Sequence, residues 1–248
     1  MLAMLRKEFA ARIWSKLIVH DREQKLLARG DRVLAMVSGG PDSVCLAHFL
    51  SAMARRRALK LTLLHVHHGL RGRAADDDER FVVALGVKLG VPVVTVKAPV
   101  AERAAARGKG LEDAGRELRY DALKRIAEKL GCNKAATGHQ LDDQAETVLL
   151  HLLRGTKLSA LAGISPKRVL KKGLVLIRPL LPLSRAEVLE YLKVHGLKHR
   201  LDRSNLSTRF TRNWLRRDIL PKLAARQPQV REHLAGIAAQ VRTLSDKR

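Results

Sequence analysis

Arg32-Val33-Leu34-Ala35-Met36-Val37 runs straight into Ser38-Gly39-Gly40-Pro41-Asp42-Ser43, and the reading of this stretch decides the fold. The first half is a short apolar run of strand formers, and Ser38-Gly39-Gly40 stops it. Residues 42–57 then read as a helix, with Val44, Ala47 and Leu50 on one face. Two glycines let a backbone approach a ligand without a side-chain clash. Pro41 suits the first turn of a helix, where its missing N–H costs nothing. Ser38 and Ser43 add hydroxyls, and the unpaired N–H groups of the helix start would face an anion. No Gly-Lys-Ser/Thr follows, so the loop is not a Walker A loop. The plainer alternative is a glycine turn that only caps a helix.

Working outward, strands are expected at 61–66, 91–96, 133–137 and 174–177. Helices are expected at 2–28, 76–89, 112–130, 141–153 and 184–195, and 98–110 reads as a loop or short helix. Strand–helix alternation at this spacing predicts an α/β protein, a parallel twisted sheet of Rossmann type with helices on both faces. Ligands of such sheets bind at the carboxyl ends of the strands. Past about residue 198 the strands stop, and residues 200–231 hold nine Lys/Arg against two Asp/Glu. The expected division is an α/β ligand-binding domain over 1–197, which the resemblance given below makes an ATP-binding catalytic domain, and a basic helical appendage over 198–248.

The composition narrows the partners. The 248 residues include 48 Lys and Arg against 24 Asp and Glu, a formal charge of +24. An apolar share of 46% argues against disorder. A folded chain this basic implies a polyanion, nucleic acid before an anionic membrane. No run of eighteen apolar residues occurs, so no transmembrane helix is expected. Arg6, Lys7 and Glu8 interrupt the start before any signal-peptide core develops, and Glu8, Asp21 and Glu23 weigh against a basic targeting helix. Two cysteines, Cys45 and Cys132, leave no disulfide framework or multi-cysteine metal site. A reducing cytoplasm is the expected setting.

Four further blocks carry chemistry. His65-Val66-His67-His68-Gly69-Leu70-Arg71-Gly72 ends the second strand. Its histidines read better as polar groups at the ligand edge than as a zinc site, and Arg71 suits a phosphate or carboxylate. In Gly110-Leu111-Glu112-Asp113-Ala114-Gly115-Arg116-Glu117-Leu118-Arg119-Tyr120, Arg116 and Arg119 share a helix face and suit a phosphate clamp. Alternatively, Glu112 and Arg116 pair on a solvated surface. Thr137-Gly138-His139-Gln140-Leu141-Asp142-Asp143-Gln144-Ala145-Glu146-Thr147 puts three carboxylates at a helix start, suited to an ammonium group or Mg²⁺ or merely favoured by the helix dipole. His139 just before them is a candidate proton shuttle. The fourth block strings Arg178-Pro179-Leu180-Leu181, Asp202-Arg203-Ser204-Asn205 and Arg212-Asn213-Trp214-Leu215-Arg216-Arg217-Asp218-Ile219-Leu220-Pro221. Its last part predicts a helix with a basic stripe fit for phosphates.

SGGPDS resembles the SGGxDS signature of the PP-loop ATPases, which cleave ATP between the α and β phosphates. In order, SGGPDS, HVHHGLRG, LEDAGRELRY, TGHQLDDQAET, LLRGTKLSALAGI, RPLL, DRSN and RNWLRRDILP resemble the tRNA(Ile)-lysidine synthetase family over roughly residues 20–222. That resemblance implies a PP-loop fold and ATP-dependent ligation of free L-lysine to C2 of the first-anticodon cytidine of tRNA(Ile) with a CAU anticodon. Adenylation of the base precedes attack by lysine, and AMP and pyrophosphate are released. It further implies ATP held by Ser38, Gly39, Gly40, Pro41, Asp42 and Ser43, with Mg²⁺ at Asp42. Asp142, Asp143, Glu146 and His139 would bind lysine or take its proton. Arg71, Arg116 and Arg119 would clamp phosphate or the lysine carboxylate, and Arg203, Arg212, Arg216 and Arg217 would steady the tRNA. Many members carry further C-terminal domains, so a chain of this length is expected to grip tRNA through a small, salt-sensitive footprint. The alternatives are a tRNA-thiolating PP-loop enzyme, disfavoured by the absence of a C-x-x-C pair, an adenylating ligase acting on a small acid, and a non-catalytic RNA-binding module. The oligomeric state stays open, a homodimer included.

Overall fold

The computed structural model describes residues 2–67, 69, 73–100, 110–200 and 211–245. Helix α1 (Leu2–Gln24) leads into β1 (Arg32–Met36), α2 (Pro41–Arg57), β2 (Lys60–His67), α3 (Arg73–Leu89) and β3 (Val93–Lys97). Then come α4 (Leu111–Lys129), β4 (Lys134–Ala136), α5 (Leu141–Leu153), a 3₁₀ turn (Leu158–Ala162), the hairpin β5 (Lys167–Lys171) and β6 (Leu174–Ile177), and α6 (Arg185–Val194). The C-terminal part holds α7 (Thr211–Trp214), a π-helical turn (Leu215–Ile219), α8 (Leu220–Arg226) and α9 (Val230–Ser245). The six strands lie in the order β3-β2-β1-β4-β6-β5, all parallel except β5, which runs antiparallel to β6.

Period-two alternation along the strands divides the core in two. Val33 and Ala35 of β1, Leu61 and Leu63 of β2, and Ile177 of β6 point to the side covered by α1, α2, α3 and α6. Leu34, Leu64, Val66, Leu174 and Leu176 point to the other, where Leu123 and Ala127 of α4 meet them. This is the expected parallel sheet with helices on both faces. The sixth strand, β5, lies outside the expected set. Its residues, Lys167-Arg168-Val169-Leu170-Lys171, read as an exposed basic segment because an edge strand needs little apolar pattern, and lysines discourage further pairing there.

A third apolar cluster joins Ala145 and Val148 of α5 to Leu220, Leu234 and Ala238 from the C-terminal helices. The basic C-terminal segment is therefore seated on the helix that carries the acidic motif. The π-helical turn makes this fit. Leu215 and Leu220 would lie about 140° apart on an α-helix, yet both are buried. The wider turn brings them round to one side.

Candidate active site

Strand order reverses between β1 and β4, because the chain runs outward to β2 and β3 on one side and to β6 on the other. The crevice beyond the carboxyl ends of β1 and β4 is the place where such sheets hold ligands. The Ser38–Ser43 loop leaves β1 there, and Thr137-Gly138-His139 leaves β4. The two touch. A side chain on Gly138 would come 3.0 Å from the carbonyl oxygen of Asp42, so only glycine permits this approach.

The loop is held mostly by its own small polar groups. Ser43 Oγ accepts from the Ser38 amide at 3.2 Å and donates to the Gly40 carbonyl at 2.9 Å. Gly39 sits at φ +90°, where a Cβ would also press on Phe81 of α3 at 3.3 Å. Arg200 closes the outside: its amide donates to the Gly39 carbonyl at 2.9 Å while its Nε bonds Asp78 at 2.8 Å. Gly40 is the N-cap of α2 and supplies no side-chain cap, so the first-turn amides are available to an anion.

Asp42 follows in a costly position. Burial, reinforced by the Asp143 charge, raises its carboxyl to about 6 against the pull of Arg185 and Arg216. Its Oδ1 is buried without a hydrogen-bond partner, and its Oδ2 lies 3.9 Å from Arg185 Nη1. A cation beside this carboxylate would offset both deficits. Magnesium shared with nucleotide phosphates needs only one or two protein carboxylates, and Asp42 with Asp143 nearby fits that requirement. The described residues hold no group of three or more metal-ligating side chains, so the fit is for an ion carried partly by phosphate.

The three carboxylates of α5 have distinct surroundings. Asp142 accepts from the Arg185 amide at 2.8 Å and from Arg231 Nε at 2.6 Å, tying the starts of α5 and α6 to α9. Asp143 completes a reciprocal cap: its Oδ2 accepts from the Gln140 amide at 3.1 Å, while Gln140 Oε1 accepts from the Asp142 amide. Its Oδ1 takes a bond from Arg216 Nη2 at 3.1 Å. Glu146 is fully buried and accepts from Arg216 Nε at 2.5 Å, Arg216 Nη2 at 2.9 Å and Arg212 Nε at 3.1 Å. Burial still raises the Glu146 carboxyl above its ordinary value, outweighing Arg216.

His139 has its Nδ1 2.9 Å from Thr137 Oγ1. Burial lowers its ring to about 4, so the imidazole is neutral at physiological pH and able to accept a proton. Both Arg116 and Arg178 act on it electrostatically.

The structure therefore brings Ser38–Ser43, His139, Asp142, Asp143 and Glu146 to one crevice. It also brings in Arg212 and Arg216, which the sequence assigns to a nucleic-acid face, as ion-pair partners of the carboxylates. Arg217 stays exposed on the π-helical turn, and Arg119 is half-buried on α4. Arg116 stands on α4 with its guanidinium 5.5 Å from the Tyr120 ring. Arg71 and Arg203 lie outside the described residues. His65 and His67 bond the Val37 carbonyl and Asp76. Arg185, Arg200 and Arg231 escape sequence reasoning, because they meet Asp142 and the loop across long separations with no local spacing. The cap-box pattern Ser184–Glu187 is the single local signal that places the backbone of Arg185 at a helix start.

A family model described as a PP-loop domain matches residues 12–223. The chain is 48% identical over 201 residues to the tRNA(Ile)-lysidine synthase of Symbiobacterium thermophilum, a match covering 81% of this chain and 41% of that one. It is 40% identical over 233 residues to the tRNA(Ile)-lysidine synthase of Dehalococcoides mccartyi, covering 91% and 50%. The chain thus spans half or less of the length of these curated relatives. Among solved structures, the U34-tRNA thiolase NcsA of Methanococcus maripaludis superposes with a TM-score of 0.76 at 22% identity, covering 96% of this chain and 80% of that one. That likeness is one of fold. No described helix is long and apolar enough to cross a membrane.

Proposed function

We propose a function from one premise: the chain belongs to the PP-loop domain family. Its reaction is the ATP-dependent ligation of free lysine to C2 of the first-anticodon cytidine of tRNA(Ile). The cytidine O2 attacks the α-phosphorus, and pyrophosphate leaves. The lysine side-chain amine then attacks C2, loses a proton, and AMP leaves. The observation that carries this reading is the contact between the phosphate loop and the His139–Glu146 motif across the strand-order reversal. It places an anion cradle, a neutral imidazole and an acidic cluster within one crevice. The names of the relatives at 48% and 40% identity support the same substrate pair.

Each side chain has a defined task in this reading. The Ser38–Ser43 loop and the free amides of α2 hold the phosphates. Asp42, with Asp143, would hold Mg²⁺, whose charge would balance the phosphate oxygens. Ionised carboxylates offer about four acceptor positions, and Asp143 uses only part of that capacity, so it also suits the lysine ammonium. His139 is neutral and takes the proton from the attacking amine. Asp142 and Glu146 act by position, because arginines and a backbone amide already engage them.

The thiolation alternative gains no support from the cysteines. Cys45 is buried on the α2 side of the sheet, and Cys132 packs against the α4 side. Burial raises both thiols, away from the reactive thiolate.

The test is pyrophosphate release by the full chain, with and without lysine and a CAU-anticodon isoleucine tRNA transcript. Release is expected only when tRNA is present, and lysine incorporation only with all substrates. Release without tRNA would overturn the reading in favour of a small-acid ligase. Asp143→Asn is expected to lose lysine incorporation by at least a hundredfold, on the order of one general acid–base or charge-stabilising contribution, with a smaller loss in Mg²⁺-dependent ATP binding. Asp42→Asn is expected to weaken the dependence of ATP binding on Mg²⁺.

A further inference from the structure

We propose that the cleft between α4 and the edge strand β5 seats one unpaired RNA nucleotide beside the reacting one; this rests on the ligation reading above. The cleft encloses about 970 Å³ and is lined by Asp113, Arg116, Tyr120, Lys124 and Arg168, among others. The Arg116 and Arg168 guanidinium carbons stand 5.5 and 5.8 Å from the centre of the Tyr120 ring. Arg212 and Arg216, on the helix expected to hold nucleic acid, are engaged by Glu146 and Asp143. A second group of cations, Arg116, Lys124 and Arg168, lines the cleft between α4 and β5.

Chemistry selects the occupant. Aromatic rings and guanidinium planes both stack unpaired bases without regard to their identity, and the cleft carries a tyrosine with two arginines over its ring. Three cations stand ready for the phosphates on either side. Asp113 offers an acceptor for an exocyclic amino group. A small free anion is a poorer fit, because the lining also contains carboxylates that cancel much of the charge. Tyr120 is fixed from behind. Its side chain interacts with the buried Arg178, whose Nη1 donates to the Ser165 carbonyl at 2.5 Å. The Ile177 carbonyl, one residue before Arg178, accepts from the Thr137 amide at 3.2 Å, so the cleft adjoins the end of β4 that leads to His139. A base held on Tyr120 would orient its neighbour toward His139.

The probe is a fluorescein-labelled CAU anticodon stem–loop hairpin, titrated with the full chain by anisotropy at several salt concentrations. The double variant Lys124→Ala/Arg168→Ala is expected to raise Kd about tenfold. The slope of log Kd against log salt should fall by about 1.4, two single-strand contacts' worth. Tyr120→Leu is expected to weaken binding about tenfold, and Tyr120→Phe to retain it, since stacking needs only the ring. Thermal midpoints of all variants and ATP binding by the double variant serve as folding controls. Ultraviolet cross-linking of a 5-bromouridine hairpin is expected to mark the peptide containing Tyr120. Unchanged affinity and slope in the double variant, cross-links confined to α7–α9, or a wild-type chain that ignores the hairpin would each overturn the proposal. The ligation reading fails separately: reduced hairpin binding in these variants, without lysine-dependent turnover by the wild type, would leave the cleft assigned and remove the reaction.

Discussion

Helices α2 and α5 both start at the carboxyl edge of the sheet, on adjacent strands, yet they are built by different means. The start of α2 is a backbone site, with a glycine N-cap, no side-chain cap and serines bonding within the loop. The start of α5 is a side-chain site, with a reciprocal Gln140–Asp143 cap and carboxylates engaged by Arg185, Arg212, Arg216 and Arg231. The first is open to an anion. The second is already engaged by the chain's own cations, and under the proposed reading a substrate ammonium would share it with them. Under the proposed reading, a crevice of this kind separates two jobs, holding a polyanion and holding a cation at the ends of neighbouring strands.

The largest effect is expected where the charges are buried. Glu146→Ala opens a cavity and leaves Arg212 and Arg216 to share Asp143 alone. Breaking such a pair costs about 3–5 kcal/mol, or a fall in thermal midpoint of roughly 10 °C at this chain size. The measurement is thermal or urea unfolding. Adding Arg216→Met and Arg212→Met to Glu146→Leu is expected to recover much of the loss, because apolar groups of similar size need no partner. If Glu146→Ala melts with the wild type, α5 is not the charge-built start described here.

The backbone site is expected to respond less in stability and more in binding. Gly39→Ala forces a Cβ into the left-handed region and against Phe81 and Arg200, at a cost of about 1–3 kcal/mol. ATP affinity should fall at least tenfold as the loop shifts. Gly40→Ala is the control. Its residue lies at φ −70°, and the nearest atom to an added Cβ is Ser38 Oγ at 3.6 Å. Its affinity is expected to change less than that of Gly39→Ala. Equal losses in the two variants would mean that the loop is sensitive to any side chain, not to conformation.

The same contrast explains what could be read in advance. The phosphate loop is legible in six residues because its chemistry is local: turn, Pro at the helix start, free amides. The parallel strands are legible because both faces are buried, which leaves unbroken apolar runs such as Val33–Val37. The acidic motif is legible as a cluster, but its arginine partners are not, because Arg216 meets Glu146 across 70 residues and Arg231 meets Asp142 across 89. A basic stripe on a helix looks the same in sequence whether it faces phosphate or a buried glutamate. Strand β5 escaped for a related reason, since an edge strand with Lys167, Arg168 and Lys171 has the composition of a surface loop.

The smallest effect separates two histidines that burial treats alike. His139, in the crevice, and His48, on α2 away from it, are each lowered to about 4. His48 Nδ1 lies 2.7 Å from the Tyr191 hydroxyl, with the His195 ring 4.7 Å away and Arg55 and Lys88 adding positive charge nearby. An unfolded histidine titrates near 6.5. Between about 6.5 and 4 the unfolded chain therefore binds more protons than the folded one, and stability falls as pH drops through that window. The neutral ring's contribution is complete above 6.5. His48→Gln keeps a hydrogen-bonding group for Tyr191 but cannot titrate. The pH slope of its urea midpoint is expected to flatten by close to one proton, with the pH profile of turnover unchanged. His139→Gln should flatten the slope similarly and also abolish turnover, because the proposed reading gives that imidazole the proton of the attacking amine. If His48→Gln alters the turnover profile as His139→Gln does, the catalytic base is not distinguished by its place in the crevice, and the assignment of His139 falls.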